Sequence, residues 1–205
     1  MKDGFIKVAA GTPDIRVADC EYNRAEITAL IDKAHAAGVR ILALPELCIT
    51  GYTCQDLFFQ QALLDGALNA LREITEHTAG SDMLISVGCP LRFRGELYNC
   101  AVVLKDGKIL GVVPKKFLPN YNEFYEKRHF TAAPEGQFDI ELFGESVPFG
   151  LGLLFECRTM PELVFAAELC EDLWAAEPPS ISLALGGATI IANLSASNET
   201  IGKDM

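Results

Sequence analysis

The stretch "ELYNCAVVLKDGKILGVVPK", residues 96–115, predicts a β-hairpin. Two runs rich in apolar residues flank "KDGK", and Asp106-Gly107 suits the tight primed turn that joins antiparallel strands. The second run ends at Pro114, and Lys115 follows it directly. We therefore expect an antiparallel strand pair whose second strand ends at a charged side chain.

Around this hairpin, apolar strand-like runs alternate with helical patterns. Predicted strands cover 5–11, 39–46, 83–90, 163–170 and 188–197, and predicted helices cover 21–38, about 55–77 and 178–187. The first helix is expected to place Ile27, Leu30, Ile31 and Ala34 on one face, and the second is expected to carry Leu57, Leu64, Leu68 and Leu71. Residues 119–152, rich in Pro, Gly and aromatics, are expected to be irregular. The order indicates a layered α/β domain with a mixed sheet.

Composition narrows the class of protein. The chain has 205 residues, of which 50% are hydrophobic and 22% charged, enough for one domain with a sizeable core. Its formal net charge of −11 disfavours binding to nucleic acid or to an anionic membrane surface. No apolar run is long enough for a membrane helix, and the N-terminus does not look like a secretory signal.

The cysteines and histidines argue against a disulfide scaffold and against a metal site. Seven cysteines form an odd and scattered set, which fits a reducing cytoplasm. There is no Cys-x-x-Cys pair, and the three histidines lie far apart at His35, His77 and His129. We therefore expect a cytoplasmic protein without a metal in this domain.

Three reactive side chains stand where apolar strands end. Glu46 follows "ILALP", Lys115 follows "ILGVVP" and Cys170 follows "LVFAAEL". Each alone has an ordinary interpretation: a helix-start acid, a solvated lysine and a small core thiol. Because sites in α/β sheets gather beyond strand ends, the three together predict a nucleophile, a base and a cation.

The acidic residues near Cys170 in the sequence are expected to reduce the reactivity of its thiol. In "FAAELCEDLW" (165–174) the thiol lies among Glu168, Glu171 and Asp172, and nearby carboxylates disfavour a thiolate. A lysine about 4 Å away contributes on the order of 4 kcal/mol at an effective dielectric constant of ~20, which offsets carboxylates that point elsewhere. We expect Lys115 to favour the thiolate and Glu46 to carry its proton.

Three segments carry a resemblance to a known family. "LALPELCITGY" (42–52), "PKKFLPNYNEFYEKRHF" (114–130) and "ELCEDLW" (168–174) resemble the nitrilase, or carbon–nitrogen hydrolase, superfamily. "VPFGLGLLFEC" (147–157), "CEDLWAAEPPS" (170–180) and "IIANLSASNETIGK" (190–203) are closer to the glutaminase domains of glutamine-dependent NAD synthetases. The similarity spans nearly the whole chain.

The resemblance implies roles for particular residues. Cys170 is the implied nucleophile that attacks the side-chain amide of L-glutamine, Glu46 the general base, and Lys115, rather than Lys116, the cation that stabilises the oxyanion. Glu126 is the implied accessory acid, and Glu171 the partner of the ammonium of glutamine. The remaining implied pocket residues are Tyr52, Tyr121, Phe124 and Ser197. Glu168 and Asp172 receive no role.

The resemblance also implies the architecture and the partners. The implied fold is an α-β-β-α sandwich with mixed sheets, formed by residues 1–205, truncated at the C-terminus and paired as a homo-oligomer through a helical face. A complete enzyme would need a synthetase domain that uses ATP, Mg and deamido-NAD, and its "SGGxDS" phosphate loop is absent from this sequence. Two alternatives stay open: a stand-alone amidase that acts on another small amide, and an inactive interaction fragment.

Overall fold

In the computed structural model, which describes residues 4–198 and 200–202, two mixed β-sheets pack face to face with helices on the outside. The strands are β1 (Val8–Ala10), β2 (Ile41–Ala43), β3 (Leu84–Phe93), β4 (Glu96–Lys105), β5 (Lys108–Pro114), β6 (Asn120–Tyr121), β7 (Phe124–Tyr125), β8 (Gln137–Leu142), β9 (Glu145–Gly150), β10 (Phe155–Cys157), β11 (Met160–Leu169) and β12 (Ile190–Leu194). The helices are α1 (Cys20–Ala36), α2 (Gln61–His77) and α3 (Pro179–Leu185), and short 3₁₀ helices cover Gln55–Phe59, Glu126–Arg128 and Cys170–Trp174.

The two sheets divide the core into two layers. The larger sheet has the order β1-β2-β3-β4-β5-β9-β8, the second sheet has the order β10-β11-β12, and β6 and β7 form a separate pair. Successive side chains of β4 face opposite sides of the sheet. Val102 and Leu104 join the core under α1 and α2, whereas Ala101 and Val103 pack against the second sheet. With α3 against β11, the layers are α-β-β-α, which confirms the predicted fold class.

The predicted hairpin is present and is part of a longer meander. Asp106 and Gly107 both have positive φ, 51° and 73°, as the primed turn between β4 and β5 requires. A second turn with positive φ at both positions, Arg94 (51°) and Gly95 (87°), joins β3 to β4. This turn makes β3 longer than the predicted 83–90 and holds three adjacent strands in one antiparallel unit.

The predicted helix over 55–77 is wrong at its start. Gln60 is extended, with φ −84° and ψ 122°, and it separates the 3₁₀ helix from α2. Phe58 is buried against Phe130, with ring centroids 4.8 Å apart, whereas Leu57 is 45% exposed. The packing of Phe58 against Phe130 therefore determines the conformation of residues 55–60, and the helical pattern of the sequence does not continue through them.

The expected irregularity of residues 119–152 is wrong for its second half. β8 and β9 form a hairpin that extends the larger sheet beyond β5, with Val112 paired to Phe149. Phe149 lies against Phe93 at 4.5 Å between ring centroids, so the aromatics of this segment belong to the core.

Among the described residues, none of the helices is both long and apolar enough to span a membrane.

Candidate active site

The ends of three strands bring the predicted reactive residues to one place. Glu46 lies three residues after β2, Lys115 directly after β5, and Cys170 directly after β11 in the facing sheet. Lys115 is 1% exposed, Glu46 2% and Cys170 9%. The predicted nucleophile, base and cation therefore lie in the protein interior, at the junction of the two sheets.

A buried lysine bridges two carboxylates. Nζ of Lys115 donates to Oε1 of Glu46 and to Oε1 of Glu126, at 2.6 Å each. Nδ2 of Asn99 donates to Oε1 of Glu46 at 2.8 Å and to Oε2 of Glu126 at 3.3 Å. Glu46, Asn99, Lys115 and Glu126 form what we term the carboxylate–lysine cluster, and Tyr52 adds a hydroxyl that donates to Glu126 at 2.7 Å.

The charges of this cluster do not balance. Burial lowers the pKa of Lys115, but Glu46 and Glu126 raise it by more, so the lysine stays protonated. Burial raises the pKa of Glu46 above its usual range, although Lys115 opposes that shift. Two carboxylates that share one buried cation leave Glu46 with an increased affinity for a proton, which is the property a general base needs.

Cys170 is held in a conformation that non-glycine residues rarely adopt. Its φ is +40°, at the first residue of the 3₁₀ helix that follows β11. The N–H of Ala196 donates to Oε2 of Glu46 at 3.2 Å, and the same amide lowers the pKa of the Cys170 thiol. One backbone amide therefore influences both the base and the nucleophile.

The surroundings of Cys170 shift the pKa of its thiol in opposite directions. Burial and then Glu46 raise the pKa of Cys170, while Lys115, Ser195 and Ala196 lower it by less. Lys115 is directed to Glu46 and Glu126 and still lowers the pKa of the thiol, as expected, but by less than burial and Glu46 raise it. The net direction therefore favours the thiol over the thiolate in the free protein.

The three acids next to Cys170 are each engaged with other groups. Glu168 accepts hydrogen bonds from the N–H of Ser180 at 2.9 Å and from Nδ2 of Asn193 at 3.3 Å. Glu171 accepts from the hydroxyl of Tyr121 at 2.7 Å. Asp172 is fully buried and accepts from three backbone amides. Each of the three acids therefore has a hydrogen-bond partner other than the thiol.

The predicted pocket residues belong to segments that contact this centre. The ring of Phe124 lies between Tyr52 and Tyr121, in edge contacts at 6.1 Å and 5.8 Å between centroids. Tyr121 is 49% exposed, so the Tyr121–Glu171 pair is open to solvent. Ser197 is exposed and directly follows Ala196, whose amide contacts Glu46.

A small cavity borders the site, and a larger groove is lined by other residues. A small cavity of about 20 Å³ lies beside Tyr52 and Glu126. A larger groove of about 550 Å³ lies near the start of β2 and contains none of the predicted site residues.

Within residues 4–198 and 200–202, no group of three or more His, Cys, Asp or Glu side chains is placed to hold a metal ion.

The sequence analysis missed two residues that shape the centre. Asn99 is a fully buried polar residue inside the apolar strand β4, and it contacts both acids of the carboxylate–lysine cluster. A Cβ at Gly88 in β3 would lie 2.2 Å from the amide nitrogen of Leu47 and 2.4 Å from the carbonyl oxygen of Pro45. A polar residue or a glycine inside an apolar strand was the available signal for both.

Comparisons with known proteins agree on the class. The model of the carbon–nitrogen hydrolase family matches residues 7–205. Glutamine-dependent NAD(+) synthetase of Mycobacterium tuberculosis (strain ATCC 25618 / H37Rv) is 40% identical over 200 residues, which are 98% of this chain and 30% of the relative. The chain therefore spans about 30% of the length of that relative.

Solved structures show the same architecture. The crystal structure of a glutamine-dependent NAD(+) synthetase from Cytophaga hutchinsonii matches with a TM-score of 0.84 and 33% identity, over 97% of this chain and 32% of that one. An amidase from Nesterenkonia sp. matches with a TM-score of 0.71 and 18% identity, over 95% of this chain and 66% of that one. The amidase, at that identity, supports the fold alone.

Proposed function

The chain belongs to the carbon–nitrogen hydrolase family, and from that membership we propose that it is a glutamine amidohydrolase domain, formed by residues 1–205, which releases ammonia from L-glutamine. The observation that carries the proposal is the buried Lys115, which bridges Glu46 and Glu126 beside a strained Cys170. The similarity to NAD synthetases over 98% of the chain supports glutamine as the substrate.

The first step forms a thioester. The sulfur of Cys170 attacks the amide carbon of the glutamine side chain while its proton passes to Glu46. Oε2 of Glu46 is suited to this transfer because Glu46 is close enough to Cys170 to raise the pKa of its thiol, and Oε2 is held by the N–H of Ala196. Collapse of the tetrahedral intermediate breaks the carbon–nitrogen bond, and Glu46 returns the proton to the departing ammonia.

Lys115 stabilises the negative oxygen of that intermediate. A lysine ammonium has three N–H donors, and here two of them are directed to Glu46 and Glu126. The third is available to the oxyanion, in an interior where a charge interacts more strongly than it does in water. Glu126, held by Tyr52 and Asn99, orients the ammonium for this contact.

Hydrolysis of the thioester uses the same base. Glu46 takes a proton from a water molecule, the water oxygen attacks the thioester carbon, and the carbon–sulfur bond breaks. The proton returns to the sulfur of Cys170, so glutamate leaves and the resting thiol is restored. The raised pKa of Glu46 suits a group that accepts a proton twice in each turnover.

Selection for glutamine rests on the solvent-open side of the site. Glutamine carries an ammonium group that needs an anionic partner, and Glu171, next to the nucleophile, supplies a carboxylate fixed by Tyr121 at 2.7 Å. Tyr52, Phe124 and Ser197 complete the proposed pocket. Simple aliphatic amides lack the ammonium and would not use this contact.

The proposal extends to the surroundings of the domain. We propose that the ammonia serves a synthetase domain of the same polypeptide, in line with the name of the relatives, glutamine-dependent NAD(+) synthetase. The sequence resemblance implies that this domain amidates deamido-NAD with ATP and Mg. Seven free cysteines fit a cytoplasmic location. Trp174, Ile181 and Leu185 are exposed apolar residues near α3 and support pairing into a homo-oligomer through that helical face.

Ammonia release from three substrates tests the proposed function. We expect the full-length protein to turn over glutamine in preference to asparagine and propionamide, and Cys170→Ala to abolish the activity. Preference for a simple aliphatic amide would favour the stand-alone amidase. Absence of release from all three, with an intact fold, would favour the inactive interaction domain.

A further inference from the structure

One carboxylate joins the segment that carries the lysine to the segment that carries the nucleophile. Oδ1 of Asp172 accepts from the backbone N–H of Lys116 at 3.1 Å and from that of Phe117 at 2.7 Å. Its Oδ2 accepts from the N–H of Leu169 at 3.1 Å. These amides belong to the two residues that follow Lys115 and to the residue that precedes Cys170.

The contacts of Asp172 go beyond those of a helix cap. Its bond to Leu169 is local, because Asp172 is the third residue of the 3₁₀ helix that begins at Cys170. The bonds to Lys116 and Phe117 span 56 and 55 residues of sequence. A carboxylate that only capped the helix would need the first contact and neither of the other two.

The chemistry of the side chain suits this position. A carboxylate accepts several hydrogen bonds and donates none, whereas an asparagine in its place would turn an N–H₂ group toward a backbone N–H. Burial raises the pKa of Asp172 to about 6, and the amides of Phe117 and Leu169 oppose that shift. At neutral pH the group is therefore ionised and can accept all three bonds.

We propose that Asp172 is a positioning residue that fixes Lys115 relative to Cys170 through the backbone of both segments. This inference rests on the proposed function and adds a residue to it. Asp172 does not touch the substrate. It sets the separation between the oxyanion-stabilising ammonium and the attacking sulfur, on which the rate depends because a misplacement of about 1 Å can cost on the order of 100-fold.

The test compares Asp172→Asn with Thr78→Val in the full-length protein. Thr78 is equally buried and joins the end of α2 to the β4–β5 turn through the N–H of Gly107, at the opposite end of β5 from Lys115. Thr78→Val removes its link outright. Asp172→Asn keeps one acceptor oxygen, so its N–H₂ group must face either the amides of Lys116 and Phe117 or the amide of Leu169, and the link at the site is disrupted on one side. Active sites are counted by covalent titration with a diazoketone analogue of glutamine.

We expect Asp172→Asn to lose about 100-fold in kcat per titrated site with KM changed less than about 3-fold, and Thr78→Val to keep both. Alkylation of Cys170 by iodoacetamide should also shift to higher pH in Asp172→Asn, because Lys115 would then lower the pKa of the thiol less. If Asp172→Asn does not fold, Asp172→Ala serves, since it leaves no N–H₂ group facing an amide.

The outcomes separate the two proposals. A wild-type protein that releases no ammonia from glutamine contradicts the proposed function, and the alkylation profile alone then decides the role of Asp172. An active wild-type protein with kcat unchanged in Asp172→Asn overturns the positioning role, as does an unshifted alkylation profile. Equal losses of kcat in Asp172→Asn and Thr78→Val would assign Asp172 to stability only.

Discussion

Nζ of Lys115 lies 2.6 Å from Oε1 of Glu46, and both side chains are buried although 69 residues of sequence separate them. Glu126 makes the same contact with the lysine on its other side. The interior therefore holds two carboxylates on one cation, and this imbalance determines how the centre responds to substitution and to pH.

Replacement of Lys115 by Met should abolish ammonia release and destabilise the fold. Removal of one partner from a buried ion pair typically costs about 3–5 kcal/mol, because the other charge is left uncompensated. Here Glu46 and Glu126 would both lose their cation. Urea unfolding measures the stability. The control is Lys105→Met, which removes a surface lysine paired with Asp82 at 2.8 Å. If Lys115→Met lowers the free energy of unfolding no more than Lys105→Met does, Lys115 is not a buried, charged group.

Glu46→Gln should lower kcat/KM by about 10²–10⁴-fold, the usual contribution of a general base. The base acts only when ionised, and burial raises the pKa of Glu46. Wild-type activity should therefore fall as the pH decreases through that raised pKa, and the residual activity of Glu46→Gln should lack this acidic limb. The measurement is the pH dependence of ammonia release. An identical acidic limb in both proteins would remove Glu46 from the role of base.

The thiol of Cys170 should be protonated at neutral pH in the free protein. Burial and Glu46 raise its pKa above the ordinary value of 9.0, so alkylation by iodoacetamide should still be accelerating at pH 9. Cys157 would interfere, because its pKa is lowered by a hydrogen bond from Thr159. The experiment is therefore done in the Cys157→Ser variant, and mass spectrometry measures alkylation of the peptide that contains Cys170. A plateau below pH 8 would indicate a preformed thiolate instead.

Glu171→Gln should raise KM for glutamine about tenfold or more and change kcat less, since it removes the charge proposed to bind the ammonium. The variant keeps an acceptor for the hydroxyl of Tyr121, which now lies 2.7 Å from the carboxylate. Glu76→Gln is the matched control, because it removes the same charge from the exposed side of α2. Steady-state ammonia release measures both constants. An unchanged KM would exclude Glu171 as the ammonium partner.

Gly88→Ala should displace the segment that carries Glu46. The added methyl group would lie 2.2 Å from the amide nitrogen of Leu47, and backbone cannot move aside as a flexible side chain can. We expect loss of stability together with loss of ammonia release. In the control Gly66→Ala, the new Cβ would meet Cys20 at an ordinary 3.6 Å and α2 would gain helix propensity. Equal thermal stability of the two variants would contradict the close approach at Gly88.

Features that depend on neighbouring residues could be predicted from the sequence, whereas features that depend on distant contacts could not. The primed turn at Asp106-Gly107 was predictable because a two-residue turn depends on its own residues. The extended conformation of Gln60 was not, because Phe58 packs against Phe130, which lies far along the chain. The β8–β9 hairpin lies in a segment rich in Pro, Gly and aromatic residues, where the alternation of Ile140 and Leu142 with polar residues is a short and weak strand signal.

The layered α/β class, the three strand ends that carry Glu46, Lys115 and Cys170, and the resemblance that implied their roles were all legible in the amino-acid sequence. These features follow from local patterning and from short ordered motifs. The folded arrangement was needed to show that Lys115 bridges two carboxylates, that the amide of Ala196 binds Glu46, and that Asp172 links two segments. Hydrogen bonding and burial depend on which distant groups meet, and burial shifts the proton affinities of the site.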